Sequence, residues 1–187
     1  MDTKSEFRTH LKAHREALSM ESREAWSKSL CRHLDRLCRD RCFTRVGAFW
    51  PIGSELDLRP AVAAHLDWLW FFPRVTSTLP PRLAWGTEPL EQGRWGLLEP
   101  SLAQHLLPPV NLLLVPGLAF DDNGHRIGYG RGFYDALLAQ LPDEVLTVGV
   151  GFEAQMHHSV PVEPHDRPVQ ALLSERGLRF LKTSDIP

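Results

Sequence analysis

The sequence predicts an α/β fold in three layers, with a largely parallel sheet covered by helices on both faces. Short apolar runs of strand length recur along the chain, and amphipathic segments of helical period precede and separate them. The chain has 187 residues, 43% hydrophobic and 24% charged, the mixture of an ordinary globular protein and not of a disordered one. That length suits one domain, residues 1–187, with one substantial core.

The order begins with two helices. Phe7, Leu11, Ala17 and Leu18 fall roughly on one face of the first, which is expected to end near Leu18. Ser19 is a capping residue for the second, whose Trp26, Leu30, Leu34 and Leu37 recur at core-facing spacing. Residues 46–50 read as a buried strand closed by Pro51 and Gly53. Asp57 can cap a helix reaching Leu66, with Pro60 tolerated in its first turn. Residues 68–72 form a second strand, ended by Pro73. Residues 76–109, rich in proline and glycine, predict loops with an edge strand at 83–85. Residues 112–115 give a third strand, 133–141 a helix, 147–150 a fourth strand and 169–173 a fifth. Strands alternating with helices imply the parallel sheet.

Charge and cysteine content narrow the partners. A net charge of −2 supplies no overall positive field for nucleic acid or an anionic membrane, so an anionic ligand needs a local basic pocket. No apolar run reaches the roughly 18 to 20 residues of a membrane span, and the polar start lacks a secretory signal's apolar core. A cytoplasmic monomer is expected. Cys31, Cys38 and Cys42 are odd in number and share one predicted helix, which suits reduced thiols and lacks the paired spacing of zinc sites.

The segment from Arg126 to Asp135 carries the chemistry. Gly128, Gly130 and Gly132 stand at alternate positions before a helix beginning near Phe133, a pattern that lets backbone N–H groups converge on an anion. Arg126 and Arg131 add forked cations suited to phosphate oxygens, and Asp135 is a candidate magnesium ligand. The segment lacks the G-x-x-x-x-G-K-[ST] of P-loop nucleotidases. Phe133 occupies the position where a dinucleotide-binding G-x-G-x-x-G needs its third glycine.

Residues 114–121 (LVPGLAFD) and 124–135 (GHRIGYGRGFYD) resemble the 5-formyltetrahydrofolate cyclo-ligase, or methenyltetrahydrofolate synthetase, family. Further pieces follow in family order: Lys4 and Arg8, PIGSELD at 51–57, FPRV at 72–75, WGLLEP at 95–100, and Val160-Pro161-Val162 through His165-Asp166. The resemblance implies a Rossmann-like fold shared with sugar-phosphate isomerases and CoA-transferases. It also implies MgATP-dependent conversion of 5-formyltetrahydrofolate to 5,10-methenyltetrahydrofolate, with release of ADP and phosphate.

Carried over residue by residue, the resemblance gives ATP to Lys4, Arg8, Arg126, Ile127, Gly128, Tyr129, Gly130, Arg131, Gly132, Phe133 and Tyr134. It gives the folate to Trp50, Glu55, Tyr129, Gly130, Arg131, Gly132 and Phe133, the reaction itself to Arg131 and Tyr134, and magnesium to Asp135 and Asp166. Glu55 would accept N–H bonds from the pterin's aminopyrimidine edge. Trp50 would either lie against the ring or fill core, Trp95 is open between pocket and core, and Asp166 between metal ligand and turn former. Arg74 is a candidate for phosphate or the glutamate tail. Two positions depart from part of the family: Tyr129, where some members carry a basic residue, and Gln170, where some carry an aspartate.

Overall fold

The computed structural model describes residues 4–93 and 96–181. Two helices open the chain, α1 (Lys4–Glu16) and α2 (Met20–Arg41). Ser19 is extended, and its hydroxyl accepts from the Ser22 N–H, which satisfies one of the orphan donors at the start of α2. Cys42 ends α2 in the left-handed region, its N–H returning to the carbonyls of Cys38 and Arg39. Then follow β1 (Arg45–Gly47), α3 (Arg59–Ala64), β2 (Leu69–Thr78), β3 (Pro81–Gly86), β4 (Leu90–Gln92), β5 (Leu98–Pro100), β6 (Leu112–Pro116), β7 (Ala119–Asp121) and β8 (Arg126–Ile127). The chain closes with α4 (Phe133–Leu138), β9 (Leu146–Val150), β10 (Met156–His157), β11 (Ala171–Ser174) and β12 (Gly177–Phe180).

Seven strands form the main sheet in the order β12-β11-β9-β6-β1-β2-β3. The five inner strands are parallel, and both edges are antiparallel hairpin partners. Strand period divides the core in two. Leu112, Leu114, Val148, Val150, Ala171 and Leu173 face one side with Leu30, Leu34 and Leu37 of α2, whereas Leu113, Val115 and Leu172 face the other with Leu137 of α4. These strands are therefore apolar on both faces, as the inside of a three-layer sheet requires. A separate small sheet, β10-β7-β8, packs Leu118, Ala119 and Ile127 against Leu11 of α1.

Several boundaries differ from the sequence reading for identifiable reasons. β2 does not stop at Pro73 but runs to Thr78, because β3 pairs with it across Pro73↔Trp85. The partner on the other side, β1, ends its register at Phe71, so the proline removes no rung there. The first helix stops at Glu16, leaving Ala17 exposed and Leu18 against the main core. α3 begins after Leu58, with the Asp57 carboxylate accepting the Arg59 N–H, and is only six residues long. α4 ends at Leu138, not Leu141, consistent with Pro142 disfavouring helix in the residue before it. The edge strand β12 was not foreseen; it folds back on β11 through Glu175 and Arg176. Cys31 and Cys38 are buried and unpaired, and burial pushes their thiols up to about 11 and about 12, which leaves them protonated near neutrality.

Leu114 is fully buried at the centre of the sheet. Leu114→Ala is expected to lower unfolding free energy by about 2–5 kcal/mol, against about 1 kcal/mol for Ser19→Ala, both read from urea unfolding.

Candidate functional site

The sheet order creates the site. From β1 the chain moves to β2 on one side, then returns to β6 on the other, so the segments after β1 and β6 diverge. Such a reversal opens a crevice outside the carboxyl ends of parallel strands, where ligands of open α/β sheets bind. A cleft of about 580 Å³ occupies that position, walled by Phe49, Trp50 and residues 52–55 after β1, Pro73 and Val75 of β2, and Pro116 at the end of β6. Its remaining walls are α1, Leu97 to Glu99, the glycine segment, and Glu163 to Asp166. Of the residues named from the sequence for nucleotide, folate or metal, all but Ile127 and Arg74 line this cleft. Ile127 is fully buried beside Leu11 and Leu118 and anchors the glycine segment to α1.

α1 delivers cations along one stripe. Lys4, Arg8, Leu11 and Arg15 are spaced i, i+4, i+7 and i+11, so all four face the protein. The Lys4 ammonium lies 2.7 Å from Asp166 and 2.8 Å from Glu163. Burial lowers the Lys4 pKa, but its bonds to Asp166 and Glu163 outweigh that and raise it. Burial likewise raises Asp166, and Lys4 with the Glu163 N–H holds it below the usual carboxylate range. Arg8 donates to the Gly128 carbonyl at 3.0 Å.

The glycines serve close approach as well as turning. Gly130 and Gly132 have φ of +83° and +68°, the left-handed region that suits glycine. A side chain at Gly130 would also meet the Arg8 guanidinium at 3.0 Å. Gly128 has no such φ; a Cβ there would lie 2.6 Å from the Arg126 guanidinium. Arg126 is buried, donates to Asp135 at 2.8 Å and stands over the Tyr134 ring at 5.7 Å. The Tyr134 hydroxyl is buried without a hydrogen-bond partner among the described residues, and burial raises its pKa. Phe133 packs on the core behind the cleft, and Arg131 is exposed on its wall.

Glu55 sits at the cleft floor with its carboxylate almost fully enclosed. Its Oε1 accepts from the Tyr129 hydroxyl at 2.5 Å and its Oε2 from the Ile52 N–H at 2.9 Å. Burial raises the Glu55 pKa, while the Tyr129 hydrogen bond, the Arg15 charge and the Ile52 N–H pull it back. Trp50 satisfies both readings open in the sequence, since it lines the cleft and packs edge-on against Phe72 with ring centroids 5.7 Å apart.

Some expected residues stand apart. Asp135 is held by Arg126, and Asp166 belongs to a different group, in which the ligand atoms of Glu163, His165 and Asp166 lie within 4.8 Å of one another. Arg74 does not reach the cleft; it bonds Glu91 and the carbonyls of Pro100 and Ser101. Gln170 is also remote, its Oε1 accepting from the Thr147 N–H and hydroxyl between β9 and β11. Trp95 lies outside the described residues. The sequence reading missed Arg15, which is 4% exposed and bonds both Ser54 and Tyr129. The helical stripe through Lys4 and Arg8 was the signal that could have found it.

The fold and this cleft define an α/β protein that gathers cations and carboxylates at the switch point of a parallel sheet. The sequence model of the 5-formyltetrahydrofolate cyclo-ligase family matches residues 1–175, and the chain belongs to that family. A 5-formyltetrahydrofolate cyclo-ligase of Mycolicibacterium smegmatis is 30% identical over 96% of this chain and 98% of its own length. One from Haemophilus influenzae is 35% identical over 46% of this chain and 48% of its own. The solved 5,10-methenyltetrahydrofolate synthetase of Aquifex aeolicus superposes with a TM-score of 0.83 at 31% identity, covering 98% of this chain and 95% of that one. No helix among the described residues is long and apolar enough to cross a membrane.

Gly130→Ala combines the positive φ with the Arg8 contact. It is expected to cost about 1 kcal/mol of stability or more and to raise the KM for ATP, read together from thermal unfolding and initial rates.

Proposed function

We infer that the cleft binds 5-formyltetrahydrofolate and ATP side by side and closes the folate's one-carbon ring, as the family's name describes. The observation that carries this reading is one cleft walled by the N-terminal cations, the Glu55 loop, the glycine segment and Asp166, drawn from four distant parts of the chain. The reaction yields 5,10-methenyltetrahydrofolate, ADP and phosphate.

A formyl amide is a weak electrophile and its oxygen a poor leaving group. Transfer of the terminal phosphoryl group of ATP to that oxygen makes it leave as phosphate when the neighbouring folate amine attacks the formyl carbon. No protein nucleophile is needed, so catalysis rests on positioning and on neutralising charge. Lys4, Arg8, Arg126 and Arg131 supply cations at the cleft wall for the phosphates, with backbone N–H groups between Ile127 and Tyr134. Arg131 and Tyr134 act at the transferring group; the unpartnered Tyr134 hydroxyl supports a donor role there. Glu55 accepts the N–H groups of the pterin edge, Trp50 and Phe133 flank the ring, and Tyr129, Gly130 and Gly132 line its approach.

The donor chemistry fits magnesium, because Asp135 and Asp166 are hard oxygen ligands that both line the cleft. Bound there, the ion would neutralise phosphate charge. Lys4 and Arg126 pair with those carboxylates, and each is long enough to turn to phosphate instead. The chain would work as a cytoplasmic monomer of one domain, 1–187.

Mixing purified protein with 5-formyltetrahydrofolate, magnesium and ATP should raise the methenyl absorbance, and omitting ATP or adding a chelator should abolish it. A well-folded protein that forms no chromophore, or forms it without ATP, refutes the reading. Asp135→Asn is expected to lower turnover by about tenfold or more with little change in unfolding temperature. Glu55→Gln should raise the KM for the folate by about 10- to 100-fold, the loss of a hydrogen bond to a charged group, while the KM for ATP stays within a factor of two.

A further inference from the structure

Arg15 belongs to none of the roles above, yet it is among the most enclosed charges in the protein. Its guanidinium is 4% exposed, and its three nitrogens reach three partners. Nε donates to the Ser54 hydroxyl at 3.1 Å, one terminal nitrogen donates to the Tyr129 hydroxyl at 2.8 Å, and the other lies 3.9 Å from Glu55 Oε1. Tyr129 in turn donates to the same Glu55 oxygen. Helix α1, the loop after β1 and the glycine segment therefore meet at one carboxylate.

The direction of these bonds has a chemical consequence. A tyrosine hydroxyl has one proton, and Arg15 can only donate. Once Arg15 donates to the Tyr129 oxygen, the hydroxyl proton is turned toward Glu55. An aminopyrimidine edge presents adjacent N–H donors, which need a carboxylate with two accepting oxygens. A neutral carboxyl group would present a proton to one of them. Enclosure favours that neutral form, and Arg15 is the cation set against it.

We propose that Arg15 is a positioning residue for the folate: it charge-balances the Glu55 carboxylate and, through the Tyr129 hydroxyl, fixes its orientation toward the pterin. This rests on the reading that Glu55 binds the pterin. The groups facing Glu55 are Arg15 from α1, Tyr129 from the glycine segment, the Ile52 N–H from its own loop and, at longer range, Tyr134 of α4. Tyr129 and Tyr134 are both held protonated well above neutrality, first by burial. Glu55 is therefore the member of this set that titrates on the acid side.

The test is the pH dependence of kcat/KM for 5-formyltetrahydrofolate at saturating MgATP, which reports the free enzyme's ionisations. Because the Glu55 pKa is raised, the wild-type rate should fall as pH drops through a value above 4.5. Arg15→Met removes the charge and should move that acid limb upward by about one to three pH units, with Arg15→Lys recovering part of the shift. Tyr129→Phe, at a residue 46% exposed, should move it the same way by less and keeps the test alive if Arg15→Met does not fold. The KM for ATP should stay within twofold in both Arg15 variants. Glu55→Gln should remove the limb altogether. An unmoved limb in both Arg15→Met and Tyr129→Phe, or no recovery in Arg15→Lys, overturns the role of Arg15. Unaltered folate affinity in Glu55→Gln overturns the Glu55 reading, and the inference falls with it.

Discussion

The constraint on which the rest depends is the adjacency of β1 and β6. These strands are parallel neighbours, yet one is followed by a connection to β2 and the other by a path toward β9 on the opposite side. The backbone leaving them diverges, and no sheet residue is left to fill the gap. Everything functional is arranged at its rim: the Glu55 loop follows β1, and the glycine segment follows β6 through the small β7-β8 hairpin. The two apolar faces of the sheet hold that adjacency fixed, with Leu112 and Leu114 on one side and Leu113 and Val115 on the other, none of them exposed. Stability and site therefore draw on the same strands but on different parts of them.

Helix α1 closes the gap without belonging to the sheet. Its only fully apolar anchor is Leu11, set against Leu118, Ala119 and Ile127 of the small sheet, with Phe7 beside it. The rest of its inner face is cationic. A helix that buries so little apolar surface gains modestly from the hydrophobic effect, and its register must be held partly by polar contacts. Lys4 to Asp166, Arg8 to Gly128 and Arg15 to Ser54 and Tyr129 supply them at its start, middle and end. The groups that hold the helix are also groups that line the cleft, so docking of α1 and completion of the cleft are one event.

What the sequence made legible was local. The Ser19 cap, the apolar runs of β6 and β9 and the glycine segment depend on neighbouring residues, and each appeared where expected within a residue or so. The extension of β2 through Pro73 and the edge strand β12 depend on pairing between segments, which proline content and short polar hairpins conceal. The site divides similarly. Gly130, Asp135 and Glu55 were visible because their motifs are contiguous. Arg15 was not, because its importance comes from Ser54 and Tyr129, 39 and 114 residues away. Gln170, noted in the sequence only as a departure from part of the family, lies between β9 and β11, where its amide oxygen accepts from Thr147.

Three of the carboxylates that line the cleft, Asp135, Asp166 and Glu55, differ in how they are held. Asp135 pairs with Arg126, and Asp166 pairs with Lys4 and has His165 nearby, and their side chains are 18% and 8% exposed. A buried pair of this kind contributes little net stability, because desolvation of both ions offsets their attraction. Exchanging the cation for another positive group is therefore inexpensive, as the proposed magnesium site would require. Glu55 is held by two hydrogen bonds and a guanidinium that is itself tied to Ser54 and Tyr129. None of those donors can turn away without leaving another buried group unpaired, and an unpaired buried polar group costs roughly 1–3 kcal/mol. A carboxylate fixed this firmly is poorly suited to exchanging cations but well suited to reading the flat, directional donor edge of a heterocycle.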